Sequence, residues 1–136
     1  MSDGPTPDEP PADVTELAGR LFDLARDGEA ATLAAYVDAG VPVNLTNDAG
    51  DTLLMLAAYH GHAEAVRALV VRGADVDRRN DRGQSPLAGA VFKGEDGVVH
   101  ALVEAGADPL AGHPTAVDTA RMFGREDLLG LLTPPR

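Results

Sequence analysis

Gly28, Gly61 and Gly94 stand 33 residues apart, and so do Gly40, Gly73 and Gly106. Asn47 and Asn80 keep the same spacing, as do Gly50 and Gly83, and Thr52 answers to Ser85. A fixed period of this length constrains the fold more than composition does. Each unit is too small to bury its own apolar face, so successive units must stack and cover one another. The last unit is shortened. Thr115, Ala120 and Gly124 reproduce the internal spacing of Thr52, Ala57 and Gly61, but Ser85 and Thr115 are only 30 residues apart.

Each unit parses as a helical pair and a loop. Thr52 or Ser85 is placed to cap a helix, and Pro86 takes the first helical position, where its missing N–H is not needed. A helix of about two turns then carries Leu54, Ala57 and Ala58 and ends at Gly61, which frees the chain to reverse. A second helix presents Ala65, Val66, Leu69 and Val70 on one face and closes at Gly73. Residues 74–83 read as an extended loop with a tight turn at residues 81–83. Ala57, Ala90 and Ala120 are small where helices of neighbouring units approach. At the start of the chain, residues 1–12 read as an acidic, Pro-rich flexible tail. Asp13 with Glu16 reads as a helix N-cap, followed by an apolar stripe of Val14, Leu17, Leu21 and Leu24.

Composition agrees with a stack of thin helices. The 136 residues are 44% apolar but only 4% aromatic, so the core is built from Ala, Leu and Val. Such a core suits close helix packing and suits a deep ligand pocket poorly. The net charge of −11 opposes nucleic acids and anionic membranes and favours a basic or neutral protein partner. Without cysteine there is no disulfide, thiolate nucleophile or cysteine metal site. The start lacks the apolar core of a signal peptide, and the strongest apolar run, Leu53–Tyr59, is far too short to span a bilayer. A cytoplasmic location is the expectation.

The stretch GDTLLMLAAYHGH…ALVVRGADVDRRN resembles an ankyrin repeat, whose pattern is G-x-T-P-L-H-x-A-A-x-x-G-H, an apolar helix, then G-A-D-V-N. Gly50, Thr52, Leu54, Ala57, Ala58, Gly61, His62 and Gly73–Val76 match it. The third unit matches at Gly83, Ser85, Pro86, Leu87, Ala90, Gly94 and Gly106–Asp108. The first unit keeps Gly28, Gly40, Val43 and Asn44, and the last keeps Thr115, Ala120 and Gly124. The resemblance covers residues 17–132. It implies an all-α solenoid of helix–turn–helix units with extended hairpin-like loops, about four repeats including caps. The units run over about residues 13–47, 48–80, 81–112 and 113–133 of one domain, 13–133. Leu53 and Met55 depart from the pattern's Pro and His, and Val91 from its second Ala. Gly89 and Gly97 lie inside helices, at up to ~1 kcal/mol each, so the third unit is expected to be the softest.

Nothing in the sequence assembles chemistry. His60 and His62 are two residues apart across a helix end and do not share a face. The resemblance implies that the His62 imidazole bonds locally within its turn. No three histidines or carboxylates share a metal-ligand spacing, Ser85 is explained as a cap, and the glycines near Gly83 do not precede a lysine in phosphate-loop order. No catalytic residue, cofactor or metal is expected. The one basic cluster, Arg78, Arg79 and Arg82, reads either as pairing with Asp77 and Asp81 or as a contact for an acidic partner.

The resemblance implies that a partner docks in a concave groove lined by hairpin tips and first helices. The positions facing it are Thr46, Asp48, Asp51, Tyr59 and His60 in the second unit. In the third they are Arg79, Asp81, Gln84, Phe92 and Lys93. Tyr59 and Phe92, one period apart and ringed by charge, are the expected anchors. The implied function is non-catalytic protein–protein recognition by a chain that is a monomer when free. The alternative is an accessory or inhibitory protein dedicated to one enzyme, and a hydrolytic enzyme stands last. Nucleic acid and membrane are not expected partners, and the Ala- and Gly-rich composition suggests a bacterial source.

Overall fold

The computed structural model describes residues 10–133. Among these residues the chain forms α1 (Pro10–Asp27), α2 (Ala30–Asp38), α3 (Leu53–Tyr59), α4 (Ala63–Val70), α5 (Pro86–Lys93), α6 (Asp96–Glu104), α7 (Ala116–Met122) and α8 (Glu126–Leu132). They pair as four helical hairpins. The first helices pack in one row, α1 on α3 on α5 on α7, and the second helices in another, α2 on α4 on α6. The architecture is the all-helical solenoid that the period demands.

Local chemistry sets the boundaries. The Thr52 hydroxyl accepts the Met55 amide at 3.0 Å, Ser85 accepts Ala88 at 3.1 Å, and Thr115 accepts Asp118 at 2.9 Å. Each hydroxyl satisfies one amide that a helix start leaves open. Between the pairs the loop closes as a hairpin through Asn47 N–H to Asp51 O at 3.0 Å and Asn80 N–H to Gln84 O at 3.1 Å. The asparagine side chains explain their spacing. Asn47 Oδ1 accepts from Ala49 and Asp51, and Asn80 Oδ1 from Arg82 and Gln84, so each templates its own turn.

The core runs the length of the stack between the rows. Leu53, Leu54, Leu69, Leu87 and Leu102 are fully buried, and each contributes about 1.5–3 kcal/mol by leaving water. Ala57, Ala90 and Ala120 are fully buried as well, on the first helices, which pack on one another from repeat to repeat.

Two expectations about the first helix are corrected. The backbone is helical from Pro10, so Asp13 lies within the helix and is not its N-cap. Pro10 and Pro11 open it because a first turn has no use for their missing amides and proline presets the helical φ. The part of the expected tail at residues 1–9 lies outside the described residues. The apolar stripe also shifts: Val14 is 60% exposed and Leu17 38%, while Leu21, Phe22 and Ala25 are buried. The extra turns of α1 run past the point where α3 would begin, alongside Thr46–Asp48 of the next hairpin. That shallower contact leaves their apolar side chains partly wet.

Candidate functional site

Tyr59 ends α3 and is half-buried. Its neighbour in α5 is Gly89, where an added Cβ would lie 3.0 Å from Met55 Cε and 3.4 Å from Tyr59 Cδ1. Gly89 therefore seats the tyrosine, a role the sequence does not reveal. Gly97 differs, with only Ala63 Cβ near it, at 3.9 Å. Lys93 Nζ stands 5.0 Å from the centroid of the Tyr59 ring, and the His60 ring meets it edge-on at 5.9 Å. One helix along, Phe92 is 52% exposed and packs edge-to-face on Phe123 at 5.7 Å.

Two shallow hollows flank Tyr59 on the face made by the first helices and hairpin tips. One, of about 220 Å³, is lined by Arg26, Asp51, Met55, Leu56, Tyr59, His60, Arg82 and Gln84. The other, of about 310 Å³, is lined by Tyr59, Arg82, Gln84, Phe92, His113 and Pro114. They share Tyr59, Arg82 and Gln84 as a common wall. Of the positions read from the sequence, Asp51, Tyr59, His60, Gln84 and Phe92 come together here. Thr46 and Asp48 border a separate depression against α1. Arg79, Asp81 and Lys93 are exposed and line neither hollow. Arg26 and His113 were not anticipated, and Arg82 reads in the sequence as part of the basic cluster but not as a groove position. The signal for Arg26 was available, since it precedes Tyr59 by one period.

Hydrogen bonds between repeats hold this face. Asn80 Nδ2 donates to Asp51 Oδ1 at 2.9 Å, Asp81 N–H to Ala49 O at 3.0 Å, and His113 N–H to Gly83 O at 2.9 Å. The expected local role of His62 is corrected. Its Nε2 bonds the Arg26 carbonyl of the preceding unit at 2.6 Å. A carbonyl has no proton to give, so Nε2 is the donor. The ring covers Gly28, where a Cβ would collide with it, and Glu95 covers Gly61 in the same way. At the equivalent position of the last unit, Arg125 reaches Asp96 Oδ2 at 2.8 Å and Asp127 Oδ2 at 2.9 Å. Its hydrogen bonds hold the Asp127 carboxyl below the ordinary aspartate value.

The expected pairing of the basic cluster is corrected too. Among the described residues, Arg78, Arg79 and Arg82 have no carboxylate within 4.0 Å. Asp77 is engaged elsewhere, accepting the Asp108 amide of the next unit at 2.8 Å. The Asp81 side chain lies over Gly50. Also among the described residues, no three His, Asp or Glu side chains converge as a metal site, and no helix is long and apolar enough to cross a membrane.

A family model described as ankyrin repeats, in three copies, matches residues 21–112. An ankyrin repeat protein of Pseudomonas aeruginosa is 48% identical over 61 residues, which are 45% of this chain and 35% of the relative. The chain thus spans about a third of that relative's length. The crystal structure of the human ASB11 ankyrin repeat domain superposes with a TM-score of 0.71 at 27% identity, over 82% of this chain and 52% of that one.

Proposed function

Because the chain belongs to the ankyrin-repeat family, whose members generally bind other proteins, we propose that it is a non-catalytic recognition module. On this reading it holds a partner protein along the face of first helices and hairpin tips. The observation that carries the reading is the pair of hollows sharing Tyr59, Arg82 and Gln84 as one wall. Shallow hollows joined over a half-buried aromatic suit an extended segment or a protuberant loop better than a small substrate, which needs an enclosing cleft. Tyr59 is held from behind by α5 and so is preorganised, which lowers the entropy lost on binding. Phe92 offers a second aromatic surface one repeat along, and aromatic side chains dominate the energetics of such interfaces.

The test is affinity capture with the full chain and with the Tyr59→Ala, Phe92→Ala double variant, both checked for helical content. The expected outcome is loss of the captured protein in the variant. Capture of the same protein at the same strength would place the interface elsewhere.

A further inference from the structure

We infer that the segment taken up at this face is acidic: an extended stretch of a partner protein in which carboxylates flank a bulky apolar side chain. The inference rests on the recognition reading above and adds the chemistry of the partner. It runs against the whole-chain charge of −11, which by itself favours a basic partner. The local arrangement of cations decides otherwise.

Arg26, Arg72, Arg121 and Arg125 each hold a carboxylate, at 2.9, 3.0, 3.7 and 2.8 Å. Arg20, Arg67, Arg78, Arg79, Arg82 and Lys93 hold none among the described residues, and the last four of these cluster along one hairpin and the end of the helix that follows it. Arg82 borders both hollows. Lys93 is drawn over the Tyr59 ring at 5.0 Å, so the wall between the hollows carries two uncompensated cations and an aromatic surface. Of the acids beside this wall, Asp51 lines one hollow and accepts from the neutral Asn80 amide at 2.9 Å, which leaves its charge in place, while Asp81 is folded over Gly50. At the far end Phe92 packs on Phe123, and both are exposed, as is Met122, which precedes Phe123 in sequence.

Screening settles the competition with the global charge. At physiological salt the Debye length is about 8 Å, so a segment lying in the hollows feels Arg82, Lys93 and Asp51, two cations against one carboxylate, far more than the distant surface acids. A carboxylate bound against Arg82 gains a charge-assisted hydrogen bond that a basic segment lacks. A hydrophobic side chain beside it meets Tyr59 and Phe92.

The test is selection from a random peptide library, of about ten residues or about 33 Å extended, against the full chain at physiological salt. Four proteins are compared: wild type; Arg82→Glu with Lys93→Glu; Tyr59→Ala with Phe92→Ala; and a chain with Asp3→Asn, Asp8→Asn and Glu9→Gln. Wild type is expected to enrich sequences with at least two acids around an apolar residue. The charge reversals should lower that enrichment by about tenfold and shift selection towards basic sequences. Neutral or basic sequences that depend on Tyr59 and Phe92 would overturn the acidic chemistry and leave the recognition face standing. Enrichment indifferent to every variant would overturn both. No enrichment either by wild type or by the chain with neutralised residues 3, 8 and 9 would overturn the uptake of an extended segment. Acidic enrichment that appears only in the chain with neutralised residues 3, 8 and 9 would identify its own N-terminus as the occupant and overturn the partner.

Discussion

His62 donates a 2.6 Å hydrogen bond to the backbone carbonyl of Arg26 in the preceding repeat, with its ring lying where a side chain at Gly28 would be. The glycine of one unit and the residue after the glycine of the next are thus one device, repeated by Gly61 and Glu95. It fixes the spacing of repeats at the edge of the face that carries Tyr59.

Unfolding measurements separate the parts of that device. His62→Ala removes one inter-repeat hydrogen bond and is expected to cost about 1 kcal/mol. Gly28→Ala places a side chain at φ +75° and drives it into the imidazole, for about 2 kcal/mol in all. In the His62→Ala background the same substitution should cost only the backbone part, about 1 kcal/mol. Simple additivity in urea denaturation would contradict the shared seat.

Two helix-interior glycines should respond in opposite directions. Gly19 in α1 has nothing within 4 Å of an added Cβ, so Gly19→Ala is expected to stabilise by about 0.5–1 kcal/mol. Gly89→Ala adds the same helical preference but pushes on Met55 and Tyr59, and is expected to lose about 1 kcal/mol. Thermal melts of the two variants, with tyrosine fluorescence in a Tyr36→Phe background reporting on Tyr59, check this. An equal gain from both would remove the seating role of Gly89.

Asn80 is 6% exposed and serves both its own turn and the preceding hairpin. Asn80→Ala leaves the Arg82 and Gln84 amides without that acceptor, and is expected to cost about 2–3 kcal/mol. Asn80→Asp keeps the acceptor but sets a carboxylate against Asp51, so it should also destabilise. Recovery of Asn80→Asp by the further change Asp51→Asn, followed by denaturation, distinguishes like-charge repulsion from loss of the turn.

At the last repeat, Asp127 is held below its ordinary value first by the hydrogen bond from Arg125. A carboxyl depressed on folding adds stability at pH above its unfolded value, and that contribution fades as pH falls through the folded value. An NMR titration of the Asp127 carboxyl should therefore give a midpoint below that of an ordinary aspartate. In Arg125→Gln it should return upward, and an unchanged midpoint would contradict the assigned cause.

The period, the hydroxyl caps and the alanine contacts were legible because each depends on a few neighbouring residues and one spacing. Thr52, Ser85 and Ala57 carry their reasons locally. Arg82 does not: its place beside Tyr59 arises only once the hairpin tip folds against the helix of the preceding unit. Gly89 reads in isolation as a weak point in a helix, whereas its use depends on a tyrosine 30 residues earlier. The His62 bond was misplaced for the same reason, since its acceptor lies 36 residues away. Val14 and Leu17 have the spacing of a buried stripe, yet the turns of α1 that carry them run past α3 and leave them 60% and 38% exposed.

Amide chemical-shift mapping with the captured partner tests the recognition face most directly. The account predicts shifts concentrated at Tyr59, His60, Arg82, Gln84 and Phe92, the residues around the two joined hollows. Shifts confined instead to Arg67–Val71 and Ala101–Ala105, which line the groove between the second helices, would contradict it.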